Sequence, residues 1–167
     1  YTSRWGKNGA KQTKKSYGGD WKIKNIPNLK KDYQDHRLWM KELPLVAHFP
    51  KIEVNGRELF LSHSSMDSAI KKSGSLENLI KILKEEKNFL MSYEGGENFK
   101  ILDSIFWKVE KDNIKDMGIF NVFGHTIQDN AKIKEHYACI DTGACSENKL
   151  TALVLPEMKV IEQPFID

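Results

Sequence analysis

The chain has 167 residues, of which 40% are hydrophobic and 29% are charged, and its net charge is +3. This length favours one domain, and the charge is too small to indicate a basic surface that binds nucleic acid. No apolar run is long enough to span a membrane, and two cysteines without a CxxC spacing indicate neither a disulfide framework nor a zinc ribbon. We therefore expect a protein of a reducing compartment, the cytoplasm.

The first part of the chain predicts loops, one helix and one hairpin. Residues 1–20 are rich in Lys, Gly, Ser and Asn and predict loop or short helical turns. Residues 32–42 predict a helix that ends before a proline. The segments KIEV and ELFLSH flank Asn55-Gly56 and predict a β-hairpin, whose second strand runs directly into His63.

The second part of the chain predicts two helices and then four strands. Leucines and isoleucines recur at helical spacing in residues 75–93, where Ser75 is placed to cap the helix and Gly95-Gly96 to end it. Residues 101–109 predict a short amphipathic helix. FNVFGH, YACID, LTALVL and KVIEQ predict strands, with TGACSENKL as a turn that joins the middle two into an antiparallel hairpin. Together these elements predict a mixed α/β layered domain.

Two of the five histidines occupy a distinctive position. His36 is expected on the surface of a polar helix, His48 before a turn and without a partner, and His136 exposed or in a capping role. His63 and His125 each directly follow an apolar strand and are themselves followed by small residues. For one such histidine, a hydrogen-bonded residue at a strand end would be the favoured interpretation. Two in the same context increase the expectation of shared metal binding or acid–base chemistry.

Asp141 is the carboxylate closest in sequence context to these histidines, because it ends the neighbouring strand YACID. It could orient one imidazole, and capping of its own turn is an equally weighted alternative. Two histidines and one carboxylate do not complete a dinuclear metal centre, which needs bridging and terminal oxygen ligands. The residues alone therefore predict a partial metal site.

Five segments follow one another in an order typical of one family: WGKNGAKQTKKSYGG, ELPLVAHFPKIEVNGRELFLSHSS, DSIFW, FNVFGHT and CIDTGACSENKLTALVLPE. As a set they resemble the calcineurin-like metallophosphoesterases of the serine/threonine protein phosphatase type. The bacterial and bacteriophage branch, which includes symmetrical diadenosine tetraphosphate hydrolases, is the most similar. This resemblance implies a layered α/β-β/α sandwich, of which residues 1–167 form the C-terminal part of a single domain.

The resemblance assigns roles to several residues at the two strand ends. His63 and His125 would bind the second of two divalent metal ions, with Mn²⁺ expected and Fe, Zn or Ni as alternatives. Gly124 would allow a tight turn there, and Thr126 would support the loop. Asp141 would fix one imidazole ring.

Other parts of the family pattern are missing from the chain. GDxHG, GDxxDRG and GNHE, which supply the remaining ligands and the general-acid histidine, are absent, so no catalytic residue is assigned. Val109 stands where a second phosphate-binding arginine is expected, and the adjacent Lys108 is the candidate for that substrate contact. We expect a C-terminal portion whose partner is the missing N-terminal half and which is inactive by itself.

The function implied by the resemblance is hydrolysis of phosphomonoesters by attack of a metal-bound hydroxide, with a phosphorylated molecule as substrate. A symmetrical dinucleoside polyphosphate hydrolase is one alternative. A non-catalytic binding module is the other. The missing motifs favour the module, and the retained histidine pair favours the enzyme.

Overall fold

The computed structural model describes residues 10–17, 31–85, 98–108 and 113–166. The chain divides into two compact units, Tyr1–Leu43 and Pro44–Asp167. Several predictions lie outside the described residues: the structure of residues 1–9 and 18–20, the helix beyond residue 85, its end at Gly95-Gly96, and Val109.

The described residues of the first unit form two helices, α1 (Ala10–Ser16) and α2 (Lys31–Glu42). The second of these confirms the helix predicted over residues 32–42. His36 lies exposed on α2, as expected, and its Nδ1 is 2.6 Å from the hydroxyl of Tyr17.

The second unit is built on a mixed five-stranded sheet with the order β1-β2-β3-β5-β4. The β1/β2 and β4/β5 pairs are antiparallel, whereas β2 and β5 both run parallel to β3. This arrangement confirms a mixed α and β fold. The strands are β1 (Val46–Val54), β2 (Arg57–Ser62), β3 (Ile119–Phe123), β4 (Lys132–Ile133) and β5 (Tyr137–Cys139).

The predicted hairpin is confirmed at Asn55-Gly56, where both residues adopt positive φ, 54° and 71°. Such a pair of angles matches the twist of the flanking strands, which is why Asn-Gly marks this turn. The strand before the turn is longer than expected, because Phe49 and Pro50 are part of β1 and do not form a turn. The pairing of β1 with β2 shifts register between Phe49 and Glu53.

His48 therefore lies inside β1 and has partners across the hairpin, contrary to the expectation. Its Nε2 is 2.7 Å from a carboxylate oxygen of Glu58, and its ring stacks on Phe60 with a centroid distance of 4.1 Å. Both partners belong to β2, so the contacts depend on strand pairing and are not visible in the local sequence.

In the described part of the connection from β2 to β3 there are three helices, which belong to the long crossover that a parallel strand pair needs. Asn78 donates its backbone N–H to Ser75 Oγ at 3.1 Å, which confirms the predicted N-cap. The last helix begins two residues earlier than predicted and ends at Trp107. The helices are α3 (Asp67–Ser73), α4 (Leu76–Glu85) and α5 (Phe99–Trp107).

The helices cover one face of the sheet, and a separate hairpin of β6 (Lys149–Val154) and β7 (Lys159–Pro164) covers the other. Successive side chains of a strand point to opposite faces. Accordingly, Phe60 of β2 packs in the helix-side core, whereas the preceding Leu59 packs against Leu153 and Met158. Burial of one such large side chain stabilises the fold by about 1.5–3 kcal/mol.

The predicted hairpin between YACID and LTALVL is wrong. β5 lies between β3 and β4, so both of its edges are occupied, and β6 pairs with β7 in a two-stranded sheet. The connecting segment holds a 3₁₀ turn, Ala144–Ser146, flanked by left-handed residues Gly143 and Glu147. This turn takes the chain out of the main sheet.

Among the described residues, no helix is long and apolar enough to cross a membrane.

Candidate metal centre

The structure brings His63 and His125 together at one edge of the sheet. His63 directly follows β2, and His125 follows β3 after a single glycine. Because β2 and β3 are parallel neighbours, their carboxyl ends meet at the same edge. Nε2 of His63 lies 3.0 Å from Nδ1 of His125, so one ring donates a hydrogen bond to the other. The ring centroids are 4.8 Å apart.

The backbone around the second histidine is unusual. His125 itself has a φ of 70°, in the left-handed region that non-glycine residues seldom adopt and that is often found at functional sites. The tight turn expected from Gly124 is thus made by His125. Gly124 leaves room for the neighbouring strand end, because a Cβ at this position would lie 3.3 Å from the Cβ of Asp141, which is a tight contact. Its N–H donates to the carbonyl of His63 at 3.1 Å and ties the two loops together.

The loop that carries His63 is anchored to the end of α5. Ser64 is 1% exposed, and both its backbone N–H and its hydroxyl donate to the carbonyl of Ile105, at 2.9 and 2.6 Å. The last carbonyls of a helix have no partner within the helix, so this serine satisfies one of them. His63 is consequently held relative to α5 as well as to β2.

Asn121, in the middle of β3, provides a second anchor that the sequence reading missed. Its Oδ1 accepts the N–H of Met66 at 2.9 Å, and its Nδ2 donates to Ser62 Oγ at 2.9 Å and to the carbonyl of Phe60 at 3.3 Å. A buried amide must be hydrogen-bonded to avoid a large desolvation cost. The one available signal was an asparagine inside an otherwise apolar strand.

Asp141 caps its own turn. Its Oδ1 accepts the backbone N–H of Gly143 at 3.1 Å, and its main-chain carbonyl accepts the N–H of Gln128 at 2.9 Å. This is the capping geometry that the sequence reading weighed against orientation of an imidazole. Its carboxylate is nevertheless close enough to act on the pKa of His63.

Thr126 supports the loop through its backbone. Its N–H donates to the carbonyl of Gly124 at 2.8 Å. Its own carbonyl accepts from Gln128 Nε2 at 3.0 Å and from the thiol of Cys139 at 3.5 Å. These contacts connect the loop after β3 to β5.

Lys108, the candidate phosphate contact, is held in an ion pair. Its Nζ lies 3.4 Å from each carboxylate oxygen of Asp67, whose side chain is 9% exposed. Asp67 also accepts from Ser65 Oγ at 3.1 Å. A phosphate that approached Lys108 would therefore share the ammonium group with Asp67.

The electrostatic surroundings favour a neutral His63. Partial burial lowers the pKa of His63, proximity to His125 lowers it further, and Asp141 acts in the opposite direction. Metal ions bind the neutral imidazole, so protons compete with the metal as the pH falls through the pKa of the ring. A lowered pKa extends metal binding toward lower pH.

The nitrogen separation fits ligands of one ion. Two nitrogen ligands, each at about 2.1 Å from an ion, lie about 3.0–3.4 Å apart in octahedral or tetrahedral geometry. The 3.0 Å between His63 Nε2 and His125 Nδ1 is at this spacing. Within the described ranges, no group of three or more His, Cys, Asp or Glu side chains is placed to hold a metal. If an ion binds here, His63 and His125 would supply two of its ligands, and further ligands would have to come from elsewhere.

The remaining histidines have structural partners. His48 contacts Glu58 and Phe60, and His136, half-buried, has its Nε2 2.9 Å from the carbonyl of Ile114. His36 belongs to the other unit. In the parts of the chain that the structure describes, the pair His63 and His125 is thus the one place where two imidazoles meet.

No protein-family model matches the chain, and no curated protein or solved structure matches it either. The family resemblance therefore stays a prediction from the five sequence segments.

Proposed function

We propose that the chain is the C-terminal portion of a metal-dependent phosphoesterase of the serine/threonine phosphatase type. The observation that carries this proposal is the 3.0 Å separation of His63 Nε2 and His125 Nδ1 at the carboxyl ends of two parallel strands. Two imidazoles that approach so closely from positions far apart in sequence suit one shared cation. The expected substrates are phosphomonoesters.

His63 and His125 would hold one of two divalent ions, for which Mn²⁺ is expected and Fe, Zn or Ni are alternatives. When bound, such ions lower the pKa of a water nucleophile and neutralise charge on phosphoryl oxygens. The chain's own residues set the position of the pair. Ser64 and Asn121 fix the first loop, and the Gly124 N–H joins it to the second.

Lys108 would contact a phosphoryl oxygen from the end of α5. Its pairing with Asp67 holds the ammonium group in place, and Asp67 in turn is fixed by the hydroxyl of Ser65. An ammonium that is already positioned loses less conformational entropy when a phosphate binds.

The outer face of the β6–β7 hairpin is apolar and exposed, which supports the proposal that another part of the polypeptide packs against it. Leu150 is 64% exposed and Ile161 50% exposed, and Ala152 faces solvent beside Ile161. A two-stranded sheet with an apolar outer face is marginal in water unless it packs against something else. We propose that the N-terminal half, with the remaining metal ligands and the general acid, covers this face.

Two alternatives are separated by simple observations. The absence of GDxHG, GDxxDRG and GNHE from the sequence favours a non-catalytic binding module. The coding sequence upstream of Tyr1 tests this point, because the three motifs would be encoded there if the chain belongs to an enzyme. A symmetrical dinucleoside polyphosphate hydrolase would cleave such dinucleotides in preference to p-nitrophenyl phosphate.

Removal of the metal provides the direct test of the activity. The complete polypeptide, with its N-terminal half, is expected to hydrolyse p-nitrophenyl phosphate in Mn²⁺, to lose this activity in EDTA, and to regain it when Mn²⁺ is restored. The 167-residue chain alone is expected to bind divalent ions weakly and to show no turnover. A complete polypeptide without metal-dependent turnover of phosphomonoesters or dinucleotides would favour the binding module.

A further inference from the structure

An exposed aromatic ring lies beside the histidine pair. Trp107, the last residue of α5, is 45% exposed. Its ring centroid is 5.8 Å from that of His125, with an angle of 83° between the ring planes. The preceding Phe106 has its ring centroid 6.2 Å from that of His63. Two consecutive aromatic residues thus contact one imidazole each.

The position of Trp107 relative to the pair is fixed by the same contacts that hold the His63 loop. The carbonyl of Ile105 accepts two hydrogen bonds from Ser64, which directly follows His63. Ile105 is itself fully buried in the helix-side core. The end of α5 and the His63 loop are therefore held together, and Trp107 belongs to the helix and not to a loop.

The perpendicular contact with His125 leaves much of the indole surface open to solvent. Large aromatic side chains are mostly buried in folded proteins, so an exposed tryptophan beside a polar site indicates a contact surface for a ligand. A flat aromatic group stacks on such a ring, and loss of the ring weakens binding by about 5- to 100-fold.

We propose that Trp107 determines substrate specificity in this site, by stacking against an aromatic group esterified to the phosphate. Aryl phosphomonoesters are then bound more tightly than alkyl phosphomonoesters. This inference rests on the proposed function, because it takes the histidine pair as the place where the phosphoryl group lies. Trp107 is a specificity residue and takes no part in proton transfer or metal binding.

The test compares phenyl phosphate with propyl phosphate, using the complete polypeptide in Mn²⁺. Trp107→Ala is expected to raise KM for phenyl phosphate about tenfold, with KM for propyl phosphate changed less than about twofold and kcat less than about threefold. Trp107→Phe keeps a ring and is expected to restore most of the affinity. Trp39→Ala, which removes a 61% exposed tryptophan from α2, is the matched control and is expected to change neither KM.

Binding of phenylphosphonate and propylphosphonate, measured by calorimetry, tests the same inference without turnover. Trp107→Ala is expected to weaken phenylphosphonate alone, by about tenfold. Equal changes for the two ligands, no change for either, or no binding of phenylphosphonate by the unmodified protein would overturn the inference. Turnover with an unchanged aryl preference in Trp107→Ala would remove the role of Trp107 and leave the proposed function standing. If Trp107→Ala selectively loses phenylphosphonate binding but the unmodified protein hydrolyses no phosphoester, the role of Trp107 stands and the proposed function is wrong.

Discussion

Replacement of His63 or His125 by alanine is expected to lower Mn²⁺-dependent hydrolysis of p-nitrophenyl phosphate by the complete polypeptide about 1000-fold. Each change removes one of the two nitrogens that lie 3.0 Å apart. Loss of a bound ion removes charge stabilisation worth several kcal/mol in the transition state, which corresponds to this factor. Steady-state rates at saturating Mn²⁺ provide the measurement.

The matched control is His36→Ala, which removes an exposed imidazole from α2 and is expected to keep the rate within about twofold. Metal content, measured by mass spectrometry of the purified proteins, should fall in both site variants and stay unchanged in the control. Because His63 is exposed, its replacement should leave the far-ultraviolet circular dichroism spectrum unchanged. Full activity in both site variants would remove the ligand assignment.

Asn121→Leu is expected to lower the free energy of unfolding by about 2–4 kcal/mol. Leucine has nearly the shape of asparagine but cannot bond the N–H of Met66 or the hydroxyl of Ser62, and each buried polar group left without a partner costs about 1–3 kcal/mol. Urea unfolding followed by circular dichroism measures the change, which should appear as a lower midpoint with the same slope.

The same variant also tests the link between this amide and the metal site. Met66 lies three residues after His63, so loss of its bond should loosen the His63 loop and weaken Mn²⁺ binding as well. Gln12→Leu, which replaces an exposed amide on α1, is the control and should change stability by less than about 0.5 kcal/mol. If Asn121→Leu unfolds at the same urea concentration as the unmodified protein, the anchoring role of Asn121 is wrong.

Local patterns predicted part of this fold well. Asn55-Gly56 and Ser75 act through backbone angles and one short hydrogen bond, so a few neighbouring residues are sufficient to identify them. Apolar strands that end in histidine pointed to His63 and His125, because the edge of a sheet collects the ends of parallel strands. Their contact itself requires β2 to pair with β3, and that pairing was not predicted.

Contacts between distant segments could not be predicted. Asn121 was assigned to an apolar run because its partners, Phe60, Ser62 and Met66, are 55–61 residues away. β6 pairs with β7 and not with β5, whose second edge is occupied by β4.

The partner of one side chain and the location of one unusual backbone angle were also not predicted. His48 was left without a partner because Glu58 lies ten residues away on the opposite strand. A tight turn was expected at Gly124, but the left-handed angle belongs to His125, and Gly124 instead lies close to the side chain of Asp141.

The central claim is that the imidazoles of His63 and His125 bind one cation together. Anomalous diffraction at the manganese absorption edge, from crystals of the complete polypeptide grown with Mn²⁺, tests it most directly. We predict a manganese peak within about 2.0–2.3 Å of both His63 Nε2 and His125 Nδ1. A map without a peak between the two rings, or with a peak bound to one ring alone, would contradict the claim.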